Sequence, residues 1–336
     1  MTLHPSVAAV RGAVRRVLAP LEPGAVVAVA CSGGADSLAL ASAAVFEGHK
    51  LGLRVVGVTV DHQLQPGSAD QAARVVSQLA GLGADETLTA TVTVDSMRGI
   101  GPEAAARAAR YAVLEQVADR ISASLVLLGH TLDDQAETVL LGLTRGSGGR
   151  ALSGMREAFD VFARPLLAVR RNDTLTACLV EGLEPWDDPH NSDPGFTRVR
   201  VRDRVMPVLE EELGPGVAQA LARTADQLRD DNALLEALAD DARAGVATPH
   251  GLDVLRLAHQ PPALRHRVLH RAVLDAGAPP AEVTRGHVLA VDALVVAWRG
   301  QQWIDLPGPL RAVRRDGRLV FERPAAPAPP PPASRD

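Results

Sequence analysis

The chain has 336 residues, a formal net charge of −5 and 46% hydrophobic residues. That length suits two domains with their own cores, and the negative charge argues against nucleic-acid binding over the whole surface. The apolar runs fall far short of the roughly 20 residues that cross a bilayer, and Cys31 and Cys178, with no CxxC pair, argue against a disulfide framework or a structural zinc site, so a cytoplasmic protein with no membrane partner is expected.

The N-terminal segment MTLHPSVAAVRGAVRRVLAP has basic residues but no apolar stretch ending in a small-residue cleavage site; it reads as a helix rather than a signal peptide. AVVAVA, 25–30, is a short continuous apolar run, as in a strand covered on both faces. A helix over 36–47 follows, then a second buried strand at 53–60 ending in Asp61-His62. The pattern continues with a helix over 68–82, a strand near 88–94, a helix over 102–121 with Pro102 at its start, a strand at 125–129 ending in His130, and a helix over 133–144. Strands alternating with helices predict a doubly wound parallel sheet of Rossmann-like α/β class, whose ligands bind beyond the carboxyl ends of the strands.

From about Val205 the character changes. Residues 216–246 are spaced as one long helix or two. From Gly251 onward come two helical stretches and WIDLPGPLRAVRRDGRLVFER, a hairpin with Asp-Gly at its turn. The expected organisation is a catalytic domain over 1–210, a helical linker over 211–248, and a smaller α+β domain over 249–323. The Pro/Ala-rich tail, 324–336, is expected to be disordered.

The polar residues collect where the sheet rule wants a ligand. After the first strand comes Ser32-Gly33-Gly34-Ala35-Asp36-Ser37. Two glycines let the backbone approach a ligand closely, the amides beyond them open a helix, and Ser32 and Ser37 add hydroxyls, which together make a phosphate cradle. A Walker-type loop needs a lysine beside its glycines, and the only lysine of the chain, Lys50, is not there. Asp36 would repel a phosphate unless a divalent cation stood between them, so it is the candidate Mg²⁺ ligand; a plain helix cap at Asp36 or Ser37 is the alternative.

SGGADS resembles the SGGxDS signature of the PP-loop ATP pyrophosphatases, which cradle the pyrophosphate end of ATP and adenylate a substrate oxygen. Further segments narrow the resemblance. They are Asp61-His62-Gln63-Leu64, Glu103…Arg107-Ala108-Ala109-Arg110-Tyr111, Gly129-His130-Thr131-Leu132-Asp133-Asp134-Gln135-Ala136-Glu137-Thr138, Leu143–Gly148, Arg164-Pro165-Leu166-Leu167, Trp186–Asn191 and Arg198–Pro207. Together, over about 25–210, they are similar to the tRNA(Ile)-lysidine synthase family; the region after Gly251 resembles that family's smaller substrate-binding domain less specifically. Val199 stands where the family often has Asn, and Gln65 where it often has Arg.

The resemblance implies a ligase. It uses ATP and Mg²⁺ to adenylate the C2 oxygen of the wobble cytidine in an isoleucine tRNA with a CAU anticodon. It then attaches free L-lysine, changing codon reading from AUG to AUA. It implies that Ser32, Gly33, Gly34, Ala35, Asp36 and Ser37 hold ATP, with Asp61, His62 and His130 nearby. Asp134, with Asp133 as its competitor, would handle the lysine amine, Glu137 would orient from one turn on, and Arg110 would contact base or phosphates. Arg145, Arg198, Arg200, Arg202 and Arg204 would contact tRNA phosphates, a salt-bridged helix start being the other reading of the last four. A PP-loop tRNA thiolase, a small-molecule ATP-dependent ligase and a non-catalytic RNA-binding protein are the competing readings. The sequence fixes no oligomeric state, and a homodimer is compatible with it.

Overall fold

The computed structural model describes residues 3–61, 67–92, 102–144, 146, 148–187 and 193–323. The expectations for His62, Arg145 and the tail from 324 on lie outside the described residues. The chain divides into two compact units, residues 1–145 with 151–226 and residues 146–150 with 227–336.

The first unit runs α1 (Pro5–Leu18), β1 (Val26–Ala30), α2 (Ala35–Lys50), β2 (Arg54–Asp61), α3 (Ser68–Gly81), β3 (Glu86–Thr91), α4 (Pro102–Arg120), β4 (Ala123–Leu128) and α5 (Leu132–Thr144). After the single turn α6 (Gly149–Leu152) come β5 (Ala158–Phe159), β6 (Phe162–Ala163), α7 (Arg171–Val180), α8 (Thr197–Arg200) and α9 (Met206–Glu212). The sheet order is β3-β2-β1-β4-β6-β5. All neighbouring pairs are parallel except β5–β6. The chain winds outward from β1 to β3 and returns to place β4 on the other side of β1, so the crevice between β1 and β4 is the topological switch point.

Both faces of this sheet are covered, which is why β1 reads as unbroken apolar sequence. Val27 and Val29 pack with α1, α2 and Cys178 of α7. Ala28, between them, points to the opposite face, where Val56, Val58, Val126 and Phe162 meet Leu114 and Ala118 of α4. The expected elements of this sheet are present with ends displaced by a few residues. The β5–β6 hairpin has no sequence signal, because two-residue strands are too short to show a period of two.

The long helix α10 (Val217–Val246) is single and continuous. Beyond it lie β7 (Ala247–Thr248), β8 (Gly251–Asp253), α11 (Val254–Ala258), α12 (Pro262–Asp275), α13 (Arg285–Val296), β9 (Ile304–Leu306), β10 (Leu310–Arg315) and β11 (Arg318–Glu322). The expected hairpin is present, turning through Asp316 and Gly317 with φ of 50° and 72°, the paired left-handed conformation of a tight hairpin turn. It belongs to an antiparallel sheet of order β7-β8-β11-β10-β9. Leu252, Leu306, Leu310, Ala312 and Leu319 pack against Leu269, Val291 and Leu294 of α12 and α13. Inside this unit Arg265, buried on α12, donates to both Asp292 oxygens at 2.6 and 3.2 Å.

Candidate active site

The turn after β1 leaves the first amides of the next helix without a side-chain partner. Gly33 has φ of +88°, and a Cβ there would stand 2.7 Å from Val75 Cγ2 and 2.9 Å from Gln71 Nε2. Its carbonyl accepts the Trp186 amide at 2.8 Å, which pins the turn from outside. Ser37 Oγ folds back, donating to the Gly34 carbonyl at 2.9 Å and accepting the Ser32 amide at 3.2 Å. Helix α2 then starts at Ala35 with no side chain capping its first amides. Free amides at the positive end of a 16-residue helix favour a phosphate. Gly129, at the end of β4, lets that strand reach the same turn: a Cβ would lie 3.1 Å from the Ser37 backbone.

Around this turn the rim gathers four carboxylates at one arginine, three on its guanidinium and one on its backbone amide. Arg171, the first residue of α7, lies 3.6 Å from Asp36, 2.7 Å from Asp134 and 3.2 Å from Glu137. Its backbone amide donates to Asp133 at 2.8 Å. Burial works against the Arg171 charge, but Asp134, Glu137, Asp36 and Asp133 hold it protonated more firmly than an ordinary arginine. Asp134 also accepts from the amide and hydroxyl of Thr131 at 2.8 and 2.9 Å. Burial pushes the Asp134 carboxyl up, yet Arg171 and the hydrogen bonds from Thr131 outweigh it and keep it below the usual carboxylate value. Asp36 goes the other way. Burial lifts its carboxyl above the usual value despite the Thr174 hydroxyl and Arg171, and Asp134 adds to the rise.

Asp133, Asp134 and Glu137, expected at one rim with Asp36, are therefore brought together. Asp133 is committed to α7, through the Arg171 amide and an ion pair with Arg170 at 3.2 Å. His130 follows β4; burial and nearby Arg164, Arg107 and Arg198 push its imidazole down to about 3 against the pull of Asp134, and its Nδ1 is buried without a partner. Asp61 is buried at the end of β2, and Arg110 is exposed on α4.

The arginine run takes two directions. Arg202 donates to Glu137 at 2.8 and 3.2 Å, and Arg198 donates to Thr138 at 3.0 Å. Arg200 closes its own loop through the carbonyls of Pro194 and Gly195, and Arg204 is exposed. The side chains that sequence reasoning passed over are Arg171, Thr174 and Thr131, which hold the carboxylates, and Arg164. The adjacent pair Arg170-Arg171, just past the RPLL segment, was the available signal.

Neither cysteine is poised as a nucleophile: burial raises the thiol of Cys31, and pushes that of Cys178 up to about 12. Among the described residues no cluster of three or more His, Cys, Asp or Glu is placed to hold a metal ion. Among them too, no helix is long and apolar enough to cross a membrane.

Comparison with known proteins identifies both units. Residues 9–209 match the PP-loop domain family, and residues 252–320 match the TilS substrate binding domain. A tRNA(Ile)-lysidine synthase of Thermobifida fusca is 53% identical, over 94% of this chain and 97% of the relative. One of Streptomyces coelicolor is 50% identical, over 95% and 99%. Among solved structures, the U34-tRNA thiolase NcsA of Methanococcus maripaludis with its [4Fe-4S] cluster superposes with a TM-score of 0.56 at 18% identity, covering 66% of this chain and 79% of that one. That likeness is one of fold. On the match of both domains and the near full-length identity to its relatives, the chain belongs to the tRNA(Ile)-lysidine synthase family.

Proposed function

We propose that this protein uses ATP to adenylate the C2 oxygen of the wobble cytidine of the CAU-anticodon isoleucine tRNA and joins free L-lysine to C2, releasing pyrophosphate and AMP. The observation that carries the reading is the carboxylate nest of Asp134 and Glu137 beside an uncapped phosphate-binding turn. It sets a place for an amine next to a place for a nucleotide.

The chemistry follows from what each group can do. C2 of cytosine is a poor electrophile. When O2 attacks the α-phosphorus and the bond to pyrophosphate breaks, the ring becomes cationic and O2 becomes part of a good leaving group. The α2 amides, Ser32 and Ser37 hold the departing pyrophosphate in place. The amine then bonds to C2, the C2–O2 bond breaks, and AMP leaves carrying that oxygen. Asp134 is ionised and a weak base, so it holds and orients the amine. The amine attacks in its neutral form, and once the C–N bond has begun to form the nitrogen becomes acidic enough to pass its proton to the Asp134 carboxylate and from there to water. We assign this place to Asp134, with Asp133 as its competitor: both carboxylates already hold α7, Asp134 through the Arg171 guanidinium and Asp133 through the Arg171 amide.

Asp36 fits a Mg²⁺ ion. It is a hard oxygen donor in the first turn of α2, and burial leaves its negative charge under-compensated. The ion would neutralise charge on the pyrophosphate. The reaction is placed in the cytoplasm, with tRNA(Ile) as partner of both domains.

The test is transfer of labelled lysine. With ATP, Mg²⁺ and tRNA(Ile) bearing CAU, label should enter the tRNA, with AMP and pyrophosphate formed in equal amount. Absence of transfer to that tRNA, or sulfur transfer in its place, refutes the reading.

A further inference from the structure

Beyond the carboxylate nest, the first unit contains a cationic cluster that the reaction above leaves unused. Arg164 follows β6 at the carboxyl rim and is only 6% exposed. Its Nη2 donates to Tyr111 Oη at 3.0 Å, its Nη1 to the Arg156 carbonyl at 2.6 Å, and its guanidinium lies 4.4 Å from the centre of the Phe159 ring. Its Nε is buried without a partner. Arg107, exposed on α4, donates to the same Tyr111 oxygen at 3.3 Å. Among the described residues neither guanidinium forms an ion pair, so two like charges converge on one phenol oxygen.

A buried guanidinium without a carboxylate is costly, and its Nε–H group has lost water without gaining an acceptor. Burial accordingly depresses the Arg164 guanidinium, and Arg107 adds to the effect. Beside it opens a cavity of about 270 Å³ lined by Met155, Arg156, Phe159, Asp160 and Arg164. Asp160 is exposed at the β5–β6 turn and makes no ion pair with Arg164 among the described residues. Simple packing does not account for the arrangement: a leucine would fill the space by Phe159 at no electrostatic cost. β6 pairs with β4 through Ala163 and Leu127, so Arg164, the next residue, stands beside the end of β4.

We propose that Arg107 and Arg164, joined through the Tyr111 hydroxyl, form an oxyanion-binding site for a reactant: a phosphodiester of the RNA or the carboxylate of the amino acid. Guanidinium forks match both anions. The inference rests on the lysine-transfer reading for its reactants, and it adds the site that fixes one of them relative to Asp134.

Two variants test it. Arg107→Ala removes an exposed charge without touching the core, and Arg164→Lys keeps the charge but loses the fork. A phosphodiester would show as a KM for tRNA raised about 10-fold, with the log–log salt dependence of tRNA binding flatter by about 1 and the KM for lysine unchanged. A carboxylate would show as a KM for lysine raised about 10-fold, and as loss of the preference for lysine over lysinamide. Either result supports the site. KM values for both tRNA and lysine within about two-fold of the parent, or a change confined to ATP, overturn it. If Arg164→Lys does not fold, Arg107→Ala decides alone. Filter binding of tRNA without ATP or lysine needs no turnover. Failure of the parent protein to transfer lysine would thus sink the functional reading while leaving the site separately testable.

Discussion

Replacing Arg171 with methionine removes the cation on which the rim carboxylates converge, while keeping most of the side-chain volume. The interactions lost are those to Asp134 at 2.7 Å, Glu137 at 3.2 Å and Asp36 at 3.6 Å; the bond from its backbone amide to Asp133 survives. Removing one partner of a buried pair costs about 3–5 kcal/mol. Arg202 still pairs with Glu137 and approaches Asp134 at 3.5 Å, so we expect the lower end, about 3 kcal/mol at pH 7. The pH dependence has a definite sign. Asp134 is held below its unfolded value, so it contributes stability above the unfolded pKa of about 4 that is lost as pH falls through the lowered folded value. The variant lacks that contribution, and burial drives its Asp134 and Asp36 upward, so acid relieves it by protonating them. Urea denaturation of a Trp298→Phe, Trp303→Phe background, in which Trp186 reports the first unit, should give a deficit that is largest at pH 7 and smaller at pH 4.5. A deficit equal at the two pH values, or below about 1 kcal/mol at pH 7, would refute the claim that Arg171 balances these carboxylates.

Gly129→Ala should raise the KM for ATP about 10-fold with the fold retained, because its Cβ meets the backbone of Ser37 and Asp36 at 3.1–3.2 Å and must displace the phosphate turn; an unchanged KM would separate that turn from the nucleotide. Asp36→Asn should abolish turnover with circular dichroism unchanged. In the parent, activity should fall as pH falls through the raised Asp36 value, since only the carboxylate serves a cation. Replacing both cysteines with alanine should leave lysine transfer intact, and iodoacetamide at pH 8 should leave the folded protein unlabelled, because both thiols are buried and raised. Activity lost on that replacement, with an intact fold, would favour thiol chemistry.

What the sequence shows clearly is what repeats or punctuates. The unbroken apolar run of β1 announces a strand with two covered faces, and SGGADS marks the turn at its end. The Asp-Gly pair at 316–317 marks a hairpin because only left-handed backbone closes it. Elements of two or three residues, β5 to β9, have no period to read and exist by pairing with neighbours. The carboxylates were legible because Asp133, Asp134 and Glu137 share one helix face. Their counter-charge was not, since Arg171 arrives from α7, 34 residues after Glu137. The run from Arg198 to Arg204 shows the limit of reading charge alone. Its spacing suggests one basic stripe, but Arg198 and Arg202 turn inward to α5 while Arg200 closes a loop.

The rim carries two groups of charged side chains: Asp134 and Glu137 with Arg171 and Arg202, and Arg164 with Arg107, which share the Tyr111 hydroxyl. His130 itself is kept neutral by burial and by those arginines, so it adds no charge to either group. Asp134 and Glu137 are already balanced by Arg171 and Arg202, whereas Arg164 and Arg107 have no carboxylate partner among the described residues, so the two groups offer a reactant different things: paired acids at one place and uncompensated guanidinium forks at the other. The thiolase that shares the fold brings a [4Fe-4S] cluster, and in this chain both thiols lie beneath the rim, Cys178 against the Ala35 carbonyl at 3.4 Å. The likeness to that structure is one of fold; in this chain the β4–α5 and β6–α7 connections bring Asp134, Glu137 and Arg171 to the rim above the thiols.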